Sequence, residues 1–176
     1  MSGHNKFSQI KHQKAAGDAK KSKIFGKLAQ LITQEAKKSG GNLNWPGLKV
    51  AVERARAANM PNEGVDRAVK KATSDNSAAL ENIIYESYGP GGCAIIIEAL
   101  TSNKNKAAQE IKHILANHGF ALAGMGAAMW AFEKKEGKLV PKTTIPLSES
   151  DVAELEKLVD ELENNEEVQE VFTNAE

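Results

Sequence analysis

The chain has 176 residues, 41% of them hydrophobic and 26% charged, with 23 Lys and Arg balanced by 23 Asp and Glu. That is the composition of a folded globular chain of one or two domains. A single cysteine, Cys93, excludes an internal disulfide and any all-cysteine zinc site. The longest uncharged apolar stretch, residues 119–132, is Gly/Ala-rich and too short to cross a bilayer as a helix, and no basic-then-apolar opening predicts a secretory signal.

Residues 5–17 are polar and basic with only Phe7 and Ile10 as large apolar residues. They predict a mobile or loosely docked arm, because so little apolar surface cannot hold a segment down. Residues 18–38 predict a helix: Ile24, Phe25, Leu28, Leu31 and Ile32 fall within an arc of about 120° at roughly 100° per residue. Lys20, Lys23, Lys27, Gln30 and Gln34 fall on the opposite side. Ser39-Gly40-Gly41 stops this helix, and Pro46 starts the next as a first-turn proline, with Leu48, Val52 and Ala55 inward. Met60-Pro61 separates it from a third helix carrying Val65, Ala68 and Val69. The small polar residues 72–81 read as a linker.

Beyond the linker the pattern is mixed. Ile83–Tyr88 and Cys93–Leu100 read as strands joined by the turn Gly89-Pro90-Gly91-Gly92. Asn103 caps a helix with Ala107, Ala108, Ile111, Ile114 and Leu115 inward, stopped by Gly119. Residues 129–132 and 139–147 read as strands, the second limited by Pro141 and Pro146. Ser148-x-x-Asp151 opens a helix carrying Val152, Leu155, Val159 and Leu162, and Val168–Thr173 closes as a strand. From Cys93 the order is β-α-β-β-α-β, a ferredoxin-like arrangement with one extra leading strand. The expected fold is α+β, with a basic three-helix domain over 1–79 and an acidic ferredoxin-like domain over 80–176.

The zero net charge hides an asymmetry. Residues 1–80 hold fifteen Lys/Arg against six Asp/Glu, a net of +9, and residues 81–176 hold eight against seventeen, a net of −9. Charges farther apart than a Debye length of about 8 Å are screened from one another, so the first half presents its own positive surface. Lys6, Lys11, Lys14, Lys20, Lys21, Lys23 and Lys27 lie within 22 residues, relieved only by Asp18. Lysines neutralise phosphates as point charges, and His12 adds a donor among them. With no Arg before Arg54, base-specific major-groove reading is not expected. The candidate nucleic-acid-binding residues are therefore Lys6, Lys11, His12, Lys14, Lys20, Lys21, Lys23 and Lys27. A solvated lysine face is the plainer reading of the same pattern.

The catalytic search finds no constellation. No G-x-S-x-G, H-E-x-x-H or Walker A pattern is present. His113 and His118 are five residues apart and point to different faces of one helix, so they do not chelate a metal together. Cys93 heads an apolar strand and reads as a small buried hydrophobe. No cofactor and no catalytic or metal residue is assigned.

The opening Ser2-Gly3-His4-Asn5-Lys6-Phe7-Ser8-Gln9-Ile10-Lys11-His12-Gln13-Lys14-Ala15-Ala16 closely resembles that of the YebC/PmpR family. So do Ala57-Ala58-Asn59-Met60-Pro61, the turn Tyr85-Glu86-x-Tyr88-Gly89-Pro90-Gly91-Gly92, Pro141-Lys142-Thr143-Thr144 and the closing Glu167-Val168-Gln169-x-Val171-Phe172-x-Asn174. The resemblance implies a helical first domain followed by two α/β domains. It also implies a cytoplasmic regulator: bacterial members are named as DNA-binding transcriptional regulatory proteins, and a mitochondrial relative is a translational activator for a cytochrome oxidase subunit. The family's third domain is inserted after a Phe-Glu-Arg-Lys-Gly-like segment. Here Phe132-Glu133-Lys134-Lys135-Glu136-Gly137-Lys138 runs directly to Leu139, so the insert is expected to be absent near 136–139, and Lys134 stands where the family has Arg. The expected partner is DNA; the alternatives are ribosomal RNA, with the chain as a ribosome-associated translation factor, and other proteins met through the acidic domain. No membrane partner is expected.

Overall fold

In the computed structural model, residues 18–74 and 79–176 are described. The arm carrying Lys6, Lys11, His12 and Lys14, and residues 75–78 of the expected linker, lie outside them. The chain divides into one unit over Ala15–Leu80 and another holding Glu81–Glu176.

Three helices make the first unit: α1 (Asp18–Ser39), α2 (Pro46–Ala57) and α3 (Asn62–Ser74). Their buried faces are built largely from alanine, which lets the helices approach closely. Ala36, Ala51, Ala55, Ala68 and Ala72 pack around Ile32, Leu48, Met60 and Val65. Gly40 and Gly41 take positive φ and end α1, with Gly41 N–H donating to Ala36 O at 2.8 Å. Asn59, at φ 61°, ends α2 in the same manner, and Met60 N–H reaches back to Ala55 O at 2.9 Å. Thr33 Oγ1 donates to Ala29 O and to Ala68 O, tying α1 to α3. Two side chains depart from the wheel. Ile24 is exposed and lies outside the apolar cluster that Phe25 and Leu28 join. Gln34 sits on the lysine side and is nonetheless buried, donating to Leu80 O at 3.4 Å.

The second unit is a four-stranded antiparallel sheet in the order β3-β1-β2-β6. Its strands are β1 (Glu81–Tyr88), β2 (Ala94–Thr101), β3 (Leu122–Ala123) and β6 (Val168–Thr173). Central β2 is buried along nearly its whole length, and its alternation serves two layers. Ile95, Ile97 and Ala99 pack against α4 (Lys104–Asn117) and α5 (Glu149–Asn164) through Ile111, Leu115, Leu155, Leu158 and Leu162. Ala94 and Ile96 face the other way, toward Ala128, Ala131, Phe132 and Leu139. The caps are as the sequence predicts. Asn103 Oδ1 accepts from Lys106 N, and Ser148 Oγ accepts from Asp151 N at 3.2 Å.

The sheet order departs from the simple βαββαβ reading. The strands expected over 129–132 and 139–147 leave the main sheet. They form a separate hairpin of β4 (Phe132–Lys135) and β5 (Lys138–Pro141), preceded by a single 3-10 turn at Met129–Ala131. Both edges of β2 are already taken, by β1 and β6, and the leading strand β1 fills the place beside it. Between Pro141 and the start of α5 the chain is irregular except for one parallel bridge, Ile145 to Ala175.

Candidate nucleic-acid interface

In α1, Lys20, Lys23 and Lys27 follow one another at i, i+3 and i+7 on the side opposite Ile32 and Ala36. Lys20, Lys21 and Lys23 are exposed and Lys27 is partly buried. Lys38 returns to this side and is held to Glu35 at 2.7 Å, while the other oxygen of Glu35 accepts from Trp45 Nε1 at 3.2 Å. A Cβ at Gly47 would meet the Glu35 carboxylate, so a side chain there would have to turn Glu35 away from Trp45. Helix α3 adds Arg67, Lys70 and Lys71, all exposed and spaced i, i+3, i+4. These three lie outside the expected site; their helical spacing is the signal that finds them. Lys6, Lys11, His12 and Lys14 fall outside the described residues.

The unit's surplus does not depend on how individual side chains pair. Residues 18–80 carry twelve Lys/Arg and six Asp/Glu. If every carboxylate held one cation, a net of +6 would remain. Three short helices offer this charge little interior in which to hide, so the surplus is a surface property. Chemically, such a surface neutralises phosphates without demanding a fixed geometry.

The acidic unit holds its titratable groups differently. Cys93 is fully buried, and burial pushes its thiol above the ordinary value, away from a reactive thiolate. His118 Nε2 lies 2.7 Å from Glu161 Oε2, linking α4 to α5, whereas His113 is exposed. Glu86 is buried in β1, which works to raise its pKa. Its oxygens accept from the backbone N–H groups of Gly126, Ala128 and Met129 at 2.6, 2.7 and 2.8 Å, and these donors hold it below the ordinary carboxylate value. The Gly89–Gly92 segment is a tight connection from β1 to β2, with Gly91 at φ 65° and no room for a Cβ beside Leu147.

A family described as the TACO1/YebC protein N-terminal domain matches residues 5–75, and the TACO1/YebC second and third domain matches residues 80–137 and 133–175. The chain belongs to the TACO1/YebC family. Among TACO1/YebC relatives, a probable transcriptional regulatory protein of Thermoanaerobacter pseudethanolicus is 37% identical, over 100% of this chain and 97% of its own. That alignment runs over 239 residues against 176 here, so at least 63 positions have no counterpart in this chain. A probable transcriptional regulatory protein of Thermotoga maritima is 47% identical, over 90% of this chain and 61% of its own. The crystal structure of a conserved hypothetical protein from Aquifex aeolicus superposes with a TM-score of 0.77 at 26% identity, covering 90% of this chain and 91% of that one. Among the described residues of this TACO1/YebC chain, no helix is long and apolar enough to cross a membrane.

Proposed function

We propose that this protein is a non-catalytic, nucleic-acid-binding regulator of the cytoplasm, whose helical domain, residues 1–79, grips the phosphates of duplex DNA. The observation that carries this reading is the net +6 of residues 18–80, to which α1 contributes +4, α2 +2 and α3 +1 before Asp75 is counted. The lysines read from the sequence as the site, Lys20, Lys21, Lys23 and Lys27 with Lys6, Lys11, His12 and Lys14 of the arm, would supply the contacts. Arg67, Lys70 and Lys71 would extend them. Relatives at 37% and 47% identity bear the name probable transcriptional regulatory protein, which supports a regulatory role. The non-catalytic reading draws on the buried thiol of Cys93 and on His118 being engaged by Glu161.

We read the family's inserted domain as missing at the β4–β5 hairpin. The two matched segments of the second family meet at residues 133–137, and the unmatched 63 positions are room for such an insert. Phosphate gripping is then the part of the family's work that this chain retains.

Crosslinking the protein to nucleic acid in cells and sequencing what is attached tests the target. Enrichment of discrete genomic DNA segments is the expected outcome. Recovery of ribosomal RNA with no DNA enrichment would make it a translation factor instead, since both polymers are phosphate-lined.

A further inference from the structure

The face of the main sheet away from α4 and α5 carries an arrangement that phosphate gripping by the helical unit does not use. On β1, Glu86 and Tyr88 point to this face, where they meet the segment 124–131. The Trp130 ring is 54% exposed and Tyr88 is 38% exposed. The polar edge of Trp130 is nevertheless satisfied: Nε1 donates to Ala127 O at 2.9 Å and to Tyr88 Oη at 3.0 Å. Tyr88 in turn donates its hydroxyl hydrogen to Ala127 O. What the indole shows to water is therefore its hydrocarbon π surface, with no polar edge left to satisfy. Met125, between two glycines, is fully exposed on the same segment.

The display is held rigidly. Burying a carboxylate costs several kcal/mol unless it is fully hydrogen-bonded. Here Glu86 uses that environment to fix the backbone of residues 126, 128 and 129. Ordering the ring in advance removes an entropic cost from any binding event.

The charge beside the ring selects the partner. The hairpin and its exit, residues 132–142, hold Lys134, Lys135, Lys138 and Lys142 against Glu133 and Glu136, a local net of +2 in a unit whose net charge is −9. All four lysines are exposed, and Lys135 contacts Glu133 at 2.9 Å. Lys142 N–H donates to Ala131 O at 2.8 Å, which places that lysine beside the Trp130 segment. A flat, rigid aromatic with Lys142 next to its segment, and further lysines along the adjoining hairpin, is the chemistry that stacks a nucleobase and meets the phosphates that follow it.

We infer that Trp130, supported by Tyr88 and with Lys142 beside its segment, is a stacking platform for unpaired nucleobases. It is a second nucleic-acid contact on the acidic unit, separate from the phosphate-gripping helices. It shares with the proposed function only the class of ligand.

The chain has two tryptophans, Trp45 and Trp130, so Trp45→Phe leaves Trp130 as the sole indole reporter. The full chain is titrated with oligouridine, oligothymidine and a mixed-sequence duplex, following fluorescence and, separately, anisotropy of labelled probes. The expected result is quenching of Trp130 by the single strands. Trp130→Ala should weaken single-strand binding about tenfold, with duplex binding unchanged. Tighter binding of oligouridine identifies RNA as the source of the bases, and tighter binding of oligothymidine identifies DNA. Should Trp130→Ala lose its fold by circular dichroism, the triple change Lys134→Glu, Lys138→Glu, Lys142→Glu takes its place, with the same selective loss expected. Single strands bound without quenching, or a duplex bound with no affinity for single strands, overturns the platform and leaves the helical contact standing. A chain that binds no nucleic acid overturns both.

Discussion

The two units use the same charged residues for opposite ends. In the α/β unit, Lys104 sits 2.6 Å from Glu81 and Lys106 sits 2.9 Å from Glu167, and each carboxylate raises its lysine's pKa. Those lysines are absorbed by an acidic surface. In the helical unit, twelve cations face six carboxylates, and local pairing leaves a surplus whatever rotamers the side chains adopt. A sequence total of zero therefore describes neither unit. Charge is informative only when summed over a length comparable with the screening distance.

The largest effect should come from reversing the helical lysines. Lys20→Glu, Lys21→Glu, Lys23→Glu and Lys27→Glu together are expected to weaken duplex binding at low salt by at least about a hundredfold. The thermal midpoint should barely move. Reversing Lys104 and Lys106 is the matching control, with binding unchanged. Equal losses from the two sets would erase the contrast between the units.

Next come the cores. Ile32 is fully buried among small side chains that collapse poorly into a void, so Ile32→Ala should cost about 3 kcal/mol in chemical denaturation. In the other unit, Glu86→Gln keeps the shape of the side chain but turns an amide toward backbone donors. A loss of about 2 kcal/mol is expected. The pH dependence has a definite sign. The folded-state pKa of Glu86 lies below its ordinary value, so its contribution is present at neutral pH and lost as pH falls through that lowered value. Acid titration of stability should therefore be shallower in Glu86→Gln than in the parent. Smallest of all, Lys104→Ala should leave the denaturation midpoint unchanged, since an exposed pair contributes little.

Much of this was legible because local chemistry agreed with tertiary demand. Gly40-Gly41, Pro46, Asn103, Gly119 and Ser148 mark element ends, and the apolar run after Cys93 marks the central strand. What escaped depends on partners distant in sequence. Nothing in the sequence around Glu86 marks it as buried; its burial is supported by N–H groups some forty residues away. Gln34 reads as solvated and is covered by the backbone of Leu80. Strand β3 has two residues, too few for any alternation to register. In the candidate site, the lysine run near the start of the chain is conspicuous. Arg67, Lys70 and Lys71 are spread over a helix that also carries Glu63 and Asp66, and the wheel gathers the three cations on one arc that Glu63 shares.

The salt dependence of duplex binding tests the central claim most directly. Affinity measured from low to physiological salt should fall with a log–log slope near about −4, as release of counterions from some five phosphates requires. A slope indistinguishable from zero would show that the basic helices do not hold the polymer by its charge.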